Sequence, residues 1–254
     1  VEASAEERRE RRQEYRASLL LQFQQAASSA EFSYARDTKR FVTTATTEGA
    51  SGAAVEAVQD KQVRAALDEA IDSAEDEVRA LTSRLVNGDV TLAEWQQTMS
   101  QYVKSAHLNA GALSKGGFEK LTQRDYGQIG GRIADELEYL RGFAQDISDG
   151  TQALDGTALR RSEMYMGKAR KTHHKLHRRE MQKIGYNQER NRLGVAEHCE
   201  ECVALTNRGD ADGWVPNGTL TPIGDRICLS NCKCRIEYRN TDTTDPSRFP
   251  SVRE

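Results

Sequence analysis

The chain has 254 residues, long enough for one large or two smaller domains with a real core. Hydrophobic residues make up 37% and charged residues 30%, and no apolar run approaches the length of a bilayer span, so no membrane partner is expected. The net charge is −3, yet residues 160–192 hold eleven Lys and Arg against three Glu; that segment carries +8 and the remainder −11, which points either to a surface for a polyanion or acidic partner or to a solvated basic face.

All four prolines lie at or beyond position 216, and Ala, Glu, Gln, Arg and Leu dominate what precedes them. The expected fold is therefore mainly α: an elongated helical bundle of hairpins with a small C-terminal Cys-containing loop/β lobe. The chain divides into an N-terminal helical arm (1–45), a helical bundle (46–156), a basic helix and connector (157–195), a Cys-rich knuckle lobe (196–240) and an extended tail (241–254).

A first helix is expected over 5–29, with Tyr15, Leu19, Phe23 and Ala26 on one face. Its charged head, Glu6 to Arg12, lacks the apolar stretch of a secretory signal, so folding in a reducing cytoplasm is expected. Gly49 and Gly52 mark a linker over 46–56. Over 59–87, Val63, Leu67, Ile71, Ala74, Val78, Leu81 and Leu85 alternate spacings of four and three, a seam suited to a second helix, and Asn87-Gly88 ends it. Thr91 and Glu94 fit a capping box opening the next helix, whose face is Leu92, Trp95, Met99, Tyr102, Ala106 and Leu113; Gly116-Gly117 closes it. The two should form an antiparallel hairpin. His107, beside Ala106, reads as a surface residue.

Thr122 to Asp125 starts a further helix with Ile129, Ile133, Leu137, Leu140, Phe143 and Ile147 on one face. Gly130-Gly131 inside it implies close packing or a bend. The basic helix, Thr157 to Gln182, has only Leu159, Met164, Met166 and Leu176 as a patchy apolar face, and is expected to lie outside the bundle on at least one side. Its polar face offers Arg160, Arg161, Lys168, Arg170, Lys171, Lys175, Arg178, Arg179 and Lys183 as candidate contacts to nucleic acid or an acidic partner. From about 196 the texture turns to glycine, proline and cysteine, with short strands expected at Ile227-Cys228 and Arg235–Tyr238.

All five cysteines fall between Cys199 and Cys234, and an odd count in a cytoplasmic chain argues against a disulfide framework and for a metal site. The pattern is Cys199-x2-Cys202, then Cys228-x3-Cys232-x-Cys234, with His198 before the first. Two short Cys pairs on facing turns suit tetrahedral Zn2+ in a structural role. A spacing of one residue puts Cys232 and Cys234 on opposite faces of a strand, so they are not expected to bind one ion together. The preferred set is Cys199, Cys202, Cys228 and one of Cys232 or Cys234; the competing reading is a lobe of buried free thiols or a disulfide.

His198-Cys199-Glu200-Glu201-Cys202, Gly213 to Gly218, Pro222-Ile223-Gly224 and Asn231-Cys232-Lys233-Cys234-Arg235 resemble the phage head morphogenesis family, the minor head proteins similar to the F protein of phage Mu. The helical body carries the likeness from Gly88 to Trp95 and Met99, at Gly116-Gly117 and over Tyr139 to Ala144, so the match spans about residues 85–240. Where the family often has His and Pro, this chain has Leu229 and Ser230, with Cys228 one residue earlier; either Cys228 supplies the lost ligand or the site carries no metal. The resemblance implies a non-catalytic virion protein inside the capsid, made in the host cytoplasm, contacting portal or major capsid protein and packaged DNA, and assisting head assembly, packaging or ejection. The alternative is a zinc-dependent DNA-binding or nuclease-like protein. A nuclease lacks the paired histidines that would polarise a phosphate, and a Cys nucleophile lacks a base, because His198 and Cys199 are sequence neighbours that rarely face each other. No catalytic residue is expected.

Overall fold

The computed structural model describes residues 32–35, 40–43, 60–183, 185–229 and 232–241, and these are mainly helical with a small antiparallel sheet near the C-terminus. The expected helix over 5–29, the linker over 46–56 and nearly all of the tail lie outside the described residues. Within the arm expected to be helical, strands β1 (Phe32–Ala35) and β2 (Arg40–Thr43) pair antiparallel, in keeping with their aromatic and β-branched residues.

Helix α1 (Asp60–Val86) presents the expected seam: Val63, Leu67, Ile71, Ala74, Val78, Leu81 and Leu85 are all buried. Helix α2 (Leu92–Lys115) begins at Thr91, which accepts from the Glu94 N–H while the Glu94 carboxylate accepts from the Thr91 N–H. It stops at Gly116, whose φ of 87° only glycine adopts cheaply. Helix α3 (Gln123–Ser148) repeats the capping box with Thr122 and Asp125. Trp95 sits at the centre of this core, its ring edge-on to Phe143 at 5.2 Å, and its indole N–H donates to Thr82 Oγ1 at 3.0 Å.

The basic segment is two helices, α4 (Gly156–Gly167) and α5 (Ala169–Lys183). α4 packs on α1 and α5 on α2, so α2 is covered by α1, α3 and α5. One side of the segment does face outward, with Arg160, Met164, Gln182 and Lys183 exposed, while the other is buried further than its patchy apolar face announces: Ala169, Arg170, Thr172, His173, His174 and Leu176 of α5 are buried. Of the two alternatives expected at Gly130-Gly131, close packing is not the one found, because a side chain there would meet nothing within 4 Å. It occurs at Gly111 of α2, where an added Cβ would fall 2.5 Å from Ile129 of α3 and 3.3 Å from Leu176 of α5. His107 is likewise not at the surface; it is 1% exposed, with Nδ1 2.7 Å from Thr172 Oγ1. Lys115 joins three helices, its ammonium 2.6 Å from Glu180 and 3.7 Å from Asp125.

Beyond α5 the chain forms β3 (Gln188–Arg192), the short helix α6 (Glu200–Thr206), β4 (Val215–Pro216) and β5 (Arg235–Arg239), with β3 between β4 and β5 and both pairings antiparallel. The strand expected at Arg235–Tyr238 is present; residues 227–228 form a turn instead. This lobe has its own core of Tyr186, Leu205, Val215, Leu220, Ile223, Ile236 and Tyr238 packed with the cysteines. No described helix is long and apolar enough to cross a membrane.

Candidate metal centre

Cys199 is the N-cap of α6 and Cys202 lies one turn in, so both sulfurs leave the same end of that helix. Cys228 comes from the turn after Arg226, and Cys232 and Cys234 from the irregular segment ahead of β5. The sulfurs of Cys199, Cys202 and Cys228 all lie within 4.8 Å of one another, and so do those of Cys202, Cys232 and Cys234. The second triad corrects the expectation that Cys232 and Cys234 face apart. That expectation assumed a strand, but the strand starts only at Arg235, and the preceding segment bends both thiols inward.

Cys202 is 3.6 Å from Cys228 and 3.8 Å from Cys232, sulfur to sulfur. A tetrahedral zinc with Zn–S bonds of about 2.3 Å holds its sulfurs about 3.8 Å apart, so these separations match coordination edges. A disulfide would need about 2.05 Å, and all five cysteines are free. The donors thus fit a soft, tetrahedral metal ion.

The electrostatics favour thiolate at part of the cluster. The Cys202 backbone N–H lowers the Cys199 thiol, while burial raises Cys202 and Cys228. Cys232 is drawn down to about 5, chiefly by a hydrogen bond from Cys234, which is raised in turn; Arg226 helps further. Arg226 is fully buried, with one guanidinium nitrogen 3.8 Å from both Cys202 and Cys232 and 2.8 Å from Asn191 Oδ1. Asn191 in turn donates to the Cys202 carbonyl. Leu229 adopts φ 46°, a left-handed conformation costly for a branched side chain, in the turn between Cys228 and Cys232. A metal bound at both flanking cysteines would offset that cost.

Arg226, which carries no motif, is not legible in the sequence as a neighbour of the sulfurs. His198 is, and in keeping with its place beside Cys199 its ring turns elsewhere: Nδ1 faces Cys234 Sγ at 3.7 Å. Its Nε2 lies 2.8 Å from the Gly194 carbonyl oxygen, which can only accept, so that nitrogen bears a proton. Gly194 is held tightly against the cysteine segment: a Cβ there would sit 2.1 Å from the Lys233 carbonyl oxygen.

Eight of the nine candidate contacts on α4 and α5 meet partners within the chain. Arg161 pairs with Asp146 at 2.8 Å, Lys168 with Glu136 at 2.8 Å, and Arg170 with Asp68 at 3.0 Å and Asp72 at 3.6 Å. Lys171 and Lys175 both pair with Asp225, Arg178 with Glu189 at 3.0 Å, and Lys183 with Glu180 at 3.5 Å; Arg179 donates to Gln128. Arg160 and Lys183 are the exposed members of the set. Three of these cations dock the cysteine lobe on α5, and Gly224 lies so close that an added Cβ would meet the Lys171 Cβ at 2.7 Å.

No family model, curated protein or solved structure matches the chain.

Proposed function

We propose that the chain is a structural, non-catalytic minor head protein of a tailed bacteriophage, placed inside the capsid near the portal, with zinc at its cysteine cluster. The observation that supports this best is the convergence of the two halves of the cysteine motif, Cys199-x2-Cys202 and the Cys228 to Cys234 segment, around the buried Cys202, which belongs to both sulfur triads. Those are the segments that carry the resemblance to the head morphogenesis family. Zinc there would hold together a small lobe whose apolar core is modest. Beside the sulfurs, Glu201 accepts from the Ile227 N–H at 2.7 Å and Arg226 donates to Asn191 Oδ1 at 2.8 Å. This favours a structural over a hydrolytic metal.

The test is proteomics of purified particles from the phage or prophage that carries the sequence. The chain is expected in few copies, cross-linking to the portal; its absence from particles overturns the reading. The rival, a zinc-dependent DNA-binding or nuclease-like protein, is tested by binding of the full chain to duplex DNA across a salt series, where no binding at low salt removes it.

A further inference from the structure

Arg190 and Arg192, the last two cations of the basic segment, stand not on its helices but on β3. Alternation along the strands turns Glu189 and Asn191 of β3 and Ile236 and Tyr238 of β5 into the lobe, where they are buried. Arg190, Arg192, Arg235 and Arg239 are thereby left together on the opposite face of the sheet. Acid is short on that face. The buried Glu237 carboxylate is met by Arg190 at 2.6 Å, Arg235 at 3.2 Å and Arg192 at 3.6 Å, so one negative charge serves three guanidiniums. Arg192 and Arg235 also stand directly opposite each other in register, where like charges destabilise a sheet. An acid at either position would stabilise the pair; two arginines there suit an anion from outside the chain.

The face is also pre-organised. The guanidiniums of Arg190 and Arg239 lie 4.5 and 4.4 Å from the centroid of the Trp214 ring, and Arg239 is bound to Asp210 at 2.8 Å. A planar fork held on an aromatic ring loses little side-chain freedom when it meets a phosphate. Same-face residues of a strand repeat about every 6.7 Å, so the arginines form a grid of cations rather than a single anion pocket. Trp214 is already engaged by two arginines, which favours contact with a sugar–phosphate backbone over stacking on bases. From this arrangement we infer that the outer face of β3 and β5, through Arg190, Arg192, Arg235 and Arg239, binds the phosphate backbone of duplex DNA without regard to base sequence.

The inference holds or fails on the purified chain, whether or not the chain is found in particles. Binding of the full chain to a mixed-sequence DNA duplex about two helical turns long is followed across a salt series. Binding is expected at low salt, weakening steeply as salt rises. Arg192 is the most exposed of the four, at 41%, and the most distant of the three partners of Glu237. Arg192→Gln should weaken binding about fivefold and lower the salt slope by about 1. Its melting temperature should hold or rise, because the charge facing Arg235 is removed. Arg160→Gln, at an exposed position of α4, should bind as the unaltered chain does. No binding at low salt, undiminished binding by Arg192→Gln, or loss confined to Arg160→Gln overturns the inference. Displacement of the duplex by polyglutamate as readily as by a DNA competitor of equal charge would also overturn it, in favour of an acidic protein partner.

Discussion

Glu189 shows how the lobe is joined to the helices at the level of single residues. Its side chain is fully buried on β3, with one oxygen accepting from the Leu220 N–H at 2.8 Å and the other 3.0 Å from Arg178 of α5. Burial raises its carboxyl, and Arg178 and the backbone donors pull it back. Removing one partner strands the other charge, so Glu189→Ala should lose about 3–5 kcal/mol in urea denaturation. His107 makes a prediction in pH. Burial is the main reason its pKa falls from an ordinary 6.5 to about 4, with Lys168 and Arg132 adding to it. Between those values the unfolded chain binds the extra proton, so the contribution of His107 is intact above about 6.5 and disappears as pH falls toward 4. That loss is at most about 3 kcal/mol. His173 and His174, lowered mainly by burial and also by His177 and Arg64, add with the same sign. Denaturation between pH 7.5 and 4.5 should show stability dropping, and less steeply in His107→Gln; a flat profile contradicts it. The cysteines were legible as single residues because thiols in a short cluster have few other uses. His107 was not, because the visible apolar stripe of α2 accounts for its contacts with α1, and nothing local announces that α5 covers its other side.

Among the elements, the capping boxes at Thr91 and Thr122 and the seam of α1 could be read directly, since each is local chemistry at fixed spacing. β3 could not. Its buried positions, Glu189 and Asn191, are polar and satisfied by Arg178, Leu220 and Arg226, so the alternation exists in burial but not in hydrophobicity. The glycines of the helices yield opposed expectations. Gly131 is exposed within α3 with open space around it, so Gly131→Ala should stabilise by about 0.5–1 kcal/mol. Gly111 is pressed by Ile129 and Leu176, so Gly111→Leu should destabilise by about 1–3 kcal/mol. Thermal melts of the two variants should move in opposite directions.

Across the whole molecule, the strong charge asymmetry of the sequence is resolved largely inside the chain. Asp68, Asp72, Glu136, Asp146 and Asp225, all outside the basic segment, supply much of the acidic partner that it demanded. Sequence alone shows the imbalance but not its partner, because the pairs are far apart along the chain. The result is a helical body whose α5 is a spine, gripping α1 and α2 on one side and the cysteine lobe on the other. The central claim is that a metal–thiolate centre organises that lobe while the bundle stands on its own Trp95-centred core. Hydrogen exchange with and without a strong chelator tests it most directly. Metal removal should strip protection from β3, α6 and β5 while the amides of α1, α2 and α3 stay protected. Unchanged protection in the lobe, or equal loss in the bundle, would contradict it.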